Sequence, residues 1–345
     1  MIRSINFRYV AVRNGADFAF LNPLSAPTIR CDDSSEIKTS LSGTFLADPA
    51  VNWLSDEIRA EIVIDGTTYP LGVYLPATVS FNKDATTESV NIEAYDRCWK
   101  LRDSHISSYL YYASGTNYLT PVENLLTDAG ISLISLYPTA ATFAEAREDW
   151  EIGTSYLEII NQLLSEINYN PLWFDQDGMA IIEPASVPTA QNIEHTFDND
   201  NVESLVIPNI QRVNDIYSAP NVFICICSNA DKASGMVATA VNENPQSPLS
   251  TVARGRQIST VVRVDNIADQ TELQAYADRM RNESMITGET IQIETALLPG
   301  FGVSDVSAVH YDDLFAICIE RAWEMQLEVG GRMRHTLEKV VINLA

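Results

Sequence analysis

Hydrophobic and polar positions alternate most regularly in the first hundred residues, with a period of two. Ile58-Arg-Ala-Glu-Ile-Val-Ile64 runs into Asp65-Gly66 and returns through Thr68 to Leu75. An Asp-Gly pair between two alternating runs is a strong hairpin signal, because both residues accept the positive φ of a tight turn. Further strands are expected at Thr78–Phe81 and Ser89–Ala94. Short strands closed by tight turns predict a barrel or a sandwich.

The middle of the chain changes period. Thr120-Pro121-Val122-Glu123 reads as a capping box with proline at the first helical position, and Gly130 closes that helix. After Gly153, Tyr156, Ile159, Ile160, Leu163, Leu164 and Ile167 recur at helical spacing and make one apolar face, with Ser155 and Glu158 as a second capping box. Pro171-Leu-Trp-Phe174, the turn Asp175-Gln-Asp-Gly178 and Met179–Glu183 then read as a hairpin, and the polar stretch Asp198-Asn-Asp-Asn201 marks the exit. Strands return in the last third at Asn221–Ser228, Gln257–Val264, Thr290–Leu297 and Asp313–Leu327. A Gly330-Gly331 turn leads to Met333–Asn343, which completes a long terminal hairpin. Between the first two of these strands, Asn242–Ser250 is a polar, proline-bearing loop and a candidate mobile segment. A helix starts near Asp269, with Leu273, Tyr276, Ala277 and Met280 on its buried face.

The pattern divides the chain into a first β unit over residues 1–99, for which 198–230 is a candidate completing stretch. An inserted α+β unit covers 100–197, and a second β unit covers 231–345 with one long helix at 269–285. The expected fold class is β-rich α+β: two barrel or sandwich domains around a small α+β insertion.

Composition sharpens this picture. A chain of 345 residues suggests two or three domains, and 46% hydrophobic with 20% charged residues is globular rather than disordered. Charge is the unusual quantity: 22 Lys and Arg against 46 Asp and Glu give −24. Such a surface repels phosphate backbones, which argues against a sequence-reading nucleic-acid binder. It suits a wall past which DNA slides, and equally a merely soluble protein. No apolar run reaches membrane-spanning length and no leader pattern is present. Five scattered cysteines (Cys31, Cys98, Cys225, Cys227, Cys318) read as reduced, packed thiols of a protein made in a cytoplasm.

The search for chemistry finds no phosphate loop, dinucleotide fingerprint, nucleophile elbow or metalloprotease helix. The four histidines (His105, His195, His310, His335) share no motif. Cys225 and Cys227 fall on one face of a strand and would supply half a zinc site, but the other half is missing, so buried packing is the simpler account. Asp175-Gln-Asp177-Gly178 resembles the start of a calcium loop without its bidentate glutamate, and turn chemistry explains it better. Glu145 and Glu148, near Asp149 and Trp150, are a carboxylate pair of the kind glycosidases use, yet such pairs are common in so acidic a chain. No catalytic, cofactor-binding or metal-binding residue is assigned.

Several segments taken together resemble the hub proteins of phage tails and baseplates, which cap the tail tube and carry the central spike, and which also occur in phage-tail-like contractile particles. Thr39-Ser-Leu-Ser-Gly-Thr-Phe45, Val51-Asn-Trp-Leu-Ser-Asp-Glu-Ile-Arg59 and Tyr69-Pro-Leu-Gly-Val-Tyr74 are similar to the family's opening pattern. Ala94-Tyr-Asp-Arg-Cys-Trp-Lys-Leu101 resembles its step into the insertion, Trp150 to Gly178 its helix and hairpin, and Ala322-Trp323-Glu-Met-Gln-Leu327 with Gly330, Gly331 and Met333 its closing strands. Segment Ala230–Gly255 has no counterpart. The resemblance implies two tube-like β domains per subunit, a homotrimer joining a hexameric tube to a trimeric spike, and a channel lined by carboxylates. Implied partners are the tail tube protein, the spike or tail-tip protein, the tape measure and other baseplate proteins, with assembly in the host cytoplasm and residence in the virion tail. The other readings are a virion-associated, peptidoglycan-degrading tail-tip enzyme using acids of the insert, and a carbohydrate-binding β module using the five Trp and fourteen Tyr.

Overall fold

Period-two alternation makes strands with one wet and one dry face, and a barrel is the shape that hides every dry face and most edges at once. The computed structural model describes residues 4–340 apart from 149, 187, 202–204, 215–218, 228–234, 265–266, 268 and 285. Its first part contains β1 (Ile5–Arg13), β2 (Ala16–Phe20), β3 (Thr28–Asp32), β4 (Thr39–Leu46), β5 (Glu57–Ile64), β6 (Thr67–Lys83) and β7 (Glu88–Tyr95), in the sheet order β3-β4-β7-β6-β5-β1-β2. Beyond β2 the chain crosses back to β4: Leu24 N donates to Thr44 O and Leu46 N to Asn22 O, both at 2.8 Å. That crossing closes β1, β2, β4, β5, β6 and β7 into a barrel filled by Tyr9, Phe45, Ile58, Ile62, Tyr74 and Ile92.

The β5–β6 hairpin turns at Asp65 and Gly66, both at positive φ as their residue types suggest. The strands expected at 68–75 and 78–81 are one element. β6 pairs with β5 as far as Tyr74 and with β7 from Leu75 onward, after a corner made by Gly72 at φ +133° and a register shift between Pro76 and Thr78. Glycines and bulges are the usual means of turning a barrel corner without breaking the strand.

The insert contains α1 (Cys98–Asp103), α2 (Leu119–Asp128), β8 (Ile134–Leu136), α3 (Tyr156–Glu166), β9 (Trp173–Phe174) and β10 (Ala180–Ile182). Its core gathers the expected apolar face of α3 with Val122, Leu125 and Leu126 of α2. Ser155 caps α3, accepting from Glu158 N at 3.2 Å. The expected start of α2 needs correction: the helix begins at Leu119, and Thr120 makes no cap. Asn117 Oδ1 accepts from Leu119 N at 2.9 Å and the helix starts two residues earlier than expected, while Pro121 still sits in the first turn, where no N–H is needed. The β9–β10 hairpin forms as expected, and β8 adds to it in parallel.

The remainder contains β11 (His195–Asp198), β12 (Val206–Asn214), β13 (Val222–Cys227), β14 (Met236–Val241), α4 (Thr251–Arg254), β15 (Ser259–Val264), α5 (Gln270–Glu283), β16 (Ile286–Ala296), β17 (Val306–Tyr311), β18 (Leu314–Gln326) and β19 (Arg332–Val340). β18 and β19 form the terminal hairpin, followed outward by β16 and β12. Within 198–230, β12 pairs with β16 rather than with any strand of 1–99, and β13 joins a separate sheet, β14-β13-β15, on which α5 packs. Asp269 caps α5 by accepting from Thr271 N (2.7 Å) and Glu272 N (2.9 Å), and Leu273 and Ala277 are buried as expected. Asn242–Ser250, expected as a mobile loop, is tied down: Asn242, Ser247 and Ser250 are buried, Asn242 Nδ2 donates to Ser247 Oγ at 3.1 Å, and Ser250 caps α4. Its polar residues satisfy one another and the chain around them, which polarity along the sequence does not reveal.

β18 stitches the two β halves together. Its first part pairs with β17, its last part (Ala322–Gln326) pairs with β3, and Trp323 stands opposite Cys31. A register shift between Glu320 and Ala322 separates the two roles. One buried core therefore runs from Tyr9 to Leu337 across both halves.

Candidate functional site

The structure scatters most of the residues that chemistry would use. His105 and His310 are exposed, the first with Nδ1 2.9 Å from Asp103 O and the second edge-on to Phe315. Cys225 and Cys227 face α5 with Leu273 and Ala277, so the strand face they share is packing. Among the described residues no group of three or more His, Cys, Asp or Glu is arranged to hold a metal ion. Asp175 Oδ1 accepts from Asp177 N (3.0 Å) and Met179 N (2.8 Å), so this carboxylate builds its own turn. Glu145 and Glu148 are exposed rather than set in a cleft, and Asp149 lies outside the described residues.

Two of the four histidines do come together. β11 brings His195 against Phe301, ring centroids 3.8 Å apart, and its Nε2 lies 3.0 Å from Asp305 Oδ2. Phe301 and Phe197 then pack on His335, whose Nδ1 is 2.9 Å from Glu320 Oε2 and whose Nε2 is 3.0 Å from Thr295 Oγ1. Thr295 spends its hydroxyl proton on Ala296 O, so it accepts from His335 Nε2–H. A neutral His335 then needs a proton from Glu320. Burial pushes the Glu320 carboxyl well above its ordinary range, with the Asp305 charge adding to the shift, and pushes His335 down to about 3. Both shifts favour the neutral pair, Glu320 donating to His335. At 1% exposure each, these two groups are closed to any substrate. The sequence does not disclose the cluster, because its members come from four strands and the loop that holds Phe301 and Asp305.

This cluster sits beside a three-way junction. Arg97 donates to Glu57 Oε1 (3.1 Å), Glu57 Oε2 (2.8 Å) and Gly178 O (2.7 Å), and Lys100 Nζ donates to Glu57 Oε1 at 2.7 Å. One guanidinium thus clamps the barrel to the turn of the insert. Burial alone would raise Glu57, but its bonds to Arg97 and Lys100 outweigh that and hold the carboxyl below its ordinary value. Gln176, in the same turn, donates to Phe301 O, and Trp323 Nε1 donates to Gly302 O at 3.0 Å. Asn168 Nδ2 reaches Glu272 Oε2 at 2.7 Å and ties the insert to α5. Where barrel, insert and second half meet, the cavity is about 10 Å3, roughly one water. The arrangement holds three units in fixed relation.

The outside of the molecule is less complete. β12 forms one end of the large sheet, bulged at Pro208-Asn209, and Val213 on it is exposed. Phe18, Phe20, Leu24 and Leu46 are exposed near the barrel crossing, and Tyr109, Tyr111 and Ile152 are exposed on the insert. Among the described residues no helix is long and apolar enough to cross a membrane.

No protein-family model and no curated protein matches the sequence. The fold is similar to those of solved structures, tail proteins among them. A tail protein from Neisseria meningitidis superposes with a TM-score of 0.67 at 12% identity, over 96% of each chain. The 43 kDa tail protein of prophage MuSo2 from Shewanella oneidensis gives 0.67 at 11% identity, over 98% of each. An E. coli component of the type VI secretion system, described as similar to the bacteriophage T4 tail proteins gp27 and gp5, gives 0.53 at 10% identity, over 98% of this chain and 77% of that one. The fold is thus one found in solved tail proteins, and the β-rich α+β class expected from the sequence is the one observed.

Proposed function

We propose that this chain is a structural hub subunit of a phage or phage-tail-like baseplate, with no catalytic role. In this reading it is a homotrimeric symmetry adaptor between a hexameric tail tube and a central spike or tail tip, and it lines the channel. It contacts the tube protein, the spike, the tape measure and neighbouring baseplate proteins, is assembled in the host cytoplasm and resides in the virion tail. The observation that carries the reading is likeness over the whole length of both chains: the Neisseria and Shewanella tail proteins match it from end to end, insert included. The continuous sheet through β18 supports it, since a subunit that transmits load between tube and spike needs its two β units fixed to one another.

Closed rotational symmetry makes such an assembly finite, and it covers strand edges and apolar patches that would otherwise aggregate. With a charge of −24, carboxylates on an inner wall would repel DNA and let it pass. The deciding experiment is the mass in solution, followed by particle imaging. The expected result is three times the 38.2 kDa of one chain, in rings with a central hole and an acidic wall. A persistent monomer at high concentration, with no ring in the presence of the cognate tube or spike, would overturn the reading. A ring with a neutral or basic lumen would overturn the channel part alone.

A further inference from the structure

From residue 104 to residue 211 the sequence contains a single Lys or Arg, Arg147, and that cation is buried. Its Nη1 is 2.7 Å from Glu166 Oε2, and burial, opposed by this bond, holds Glu166 above its ordinary range. The insert therefore has no exposed Lys or Arg of its own beyond those at its entry, although Glu123, Glu145, Glu148, Glu151 and Glu158 are all exposed. On one side of it the chain forms two pinned arms. Ile106 exchanges hydrogen bonds with Thr154 and Gly153, and Tyr112 exchanges them with Arg147. Residues 107–111 on one arm, and 148 and 150–152 on the other, lie between these pins.

Those arms carry an unusual surface. Tyr109 is 72% exposed, Tyr111 65% and Ile152 52%, with Glu148 and Glu151 exposed beside them and no ion pair to either among the described residues. Large exposed apolar side chains at one spot mark interaction surfaces, and tyrosine is among the residues most enriched at such surfaces. Tyrosine faces attract cations, and the attraction grows where carboxylates add to it. We infer that Tyr109, Tyr111, Glu148, Glu151 and Ile152 on these arms form a docking strip for a basic segment of a partner protein, with Lys or Arg over Tyr109 and Tyr111 and against Glu148 and Glu151, and an aliphatic side chain against Ile152.

Charge chooses this occupant over the others. A nucleic acid brings phosphate to these carboxylates and is repelled, and a second copy, with 46 Asp and Glu against 22 Lys and Arg, offers this strip mostly like charge whatever contacts it makes elsewhere. A neutral glycan can stack on tyrosine, but it would desolvate Glu148 and Glu151 with no charge to compensate them. The proposal goes beyond the hub reading and does not depend on it, since the strip belongs to the insert of a single chain.

The test uses the full chain and a short peptide alternating Lys and Leu, with an Asp and Leu peptide of equal length and a neutral oligosaccharide as controls. The cationic peptide is expected to bind, more weakly as salt rises, and Tyr109→Ala with Tyr111→Ala is expected to weaken it by about tenfold. Glu148→Gln with Glu151→Gln is expected to weaken it and flatten its salt dependence. All four side chains are exposed, so unchanged thermal unfolding will verify that the variants fold. Equal peptide binding by the wild type and the tyrosine variant would mean attraction to the acidic surface at large, and would sink the proposal. Oligosaccharide binding lost in the tyrosine variant, or an oligomer that dissociates in it, would assign the strip to a glycan or to a second copy instead.

Discussion

At the scale of single residues the consequential groups are buried and polar, and two of them set the response to acid. Unfolded, the His335 imidazole takes a proton below about pH 6.5; folded, it does not until about pH 3. Stability is therefore lost as pH falls through that window, by up to about 1.4 kcal/mol per pH unit. Glu320 has the opposite sign: its folded carboxyl keeps its proton above the unfolded value of 4.5, so it costs stability as pH rises past that value. Between about pH 6.5 and 4.5 the two contributions oppose each other, and the pair adds little net slope in the wild type. Urea unfolding in steps across that range is therefore expected to show His335→Asn, which removes only the loss on acidification, gaining stability relative to the wild type as pH falls. Identical slopes would mean that His335 is not the group responsible. Arg97 makes the second prediction. Arg97→Ala leaves the buried Glu57 with only Lys100, and a loss of about 3 kcal/mol in chemical denaturation is expected. None of this was legible in the sequence, because Glu57, Arg97 and Gly178, like Thr295, Glu320 and His335, meet only across sheets.

At the scale of elements the local code was mostly readable. Ser155 as the cap of α3, Asp269 as the cap of α5 and Asp65-Gly66 as a turn each follow from the chemistry of one or two neighbouring residues. Ser155→Ala is expected to cost about 1 kcal/mol, read as a lower thermal midpoint. The failures share a cause as well. Thr120 looked like a cap, but Asn117 reached the free N–H groups first. The break seen near residue 76 was a barrel corner inside one strand, visible only once β5 and β7 are in place on either side of it. That corner depends on Gly72, where an added Cβ would lie 2.4 Å from Tyr74 Oη on a backbone at φ +133°. Gly72→Ala is expected to be among the most damaging small substitutions, at 3 kcal/mol or about that, whereas Gly66→Ala, with open space around it, should cost about 1. Equal effects at the two sites would argue against the corner.

At the scale of the whole molecule, charge and connectivity dominate. A chain at −24 repels itself when compact, and salt screens that repulsion over about 10 Å at 0.1 M. Raising ionic strength from about 10 mM to about 300 mM is expected to raise the thermal midpoint. A fall would show that ion pairs such as Arg97 with Glu57, and Arg332 and Arg334 with Glu294, outweigh the net charge.

Alternation, capping and turn chemistry act over a few residues, so the sequence alone determined the acidity, the β-rich class and the elements with strong local signals, such as the β5–β6 hairpin, α3 and α5. It also disclosed the absence of a recognisable catalytic motif. Tertiary structure alone decided that β18 would leave β17 and pair with β3, and that β12 would lie beside β16. It also decided that His195 and His335 would share a buried cluster, and that Tyr109 and Tyr111 would stay outside. The physical reason is range. Those outcomes depend on which faces remain to be covered after the local elements have formed, and the residues that cover them lie hundreds of positions apart in the chain.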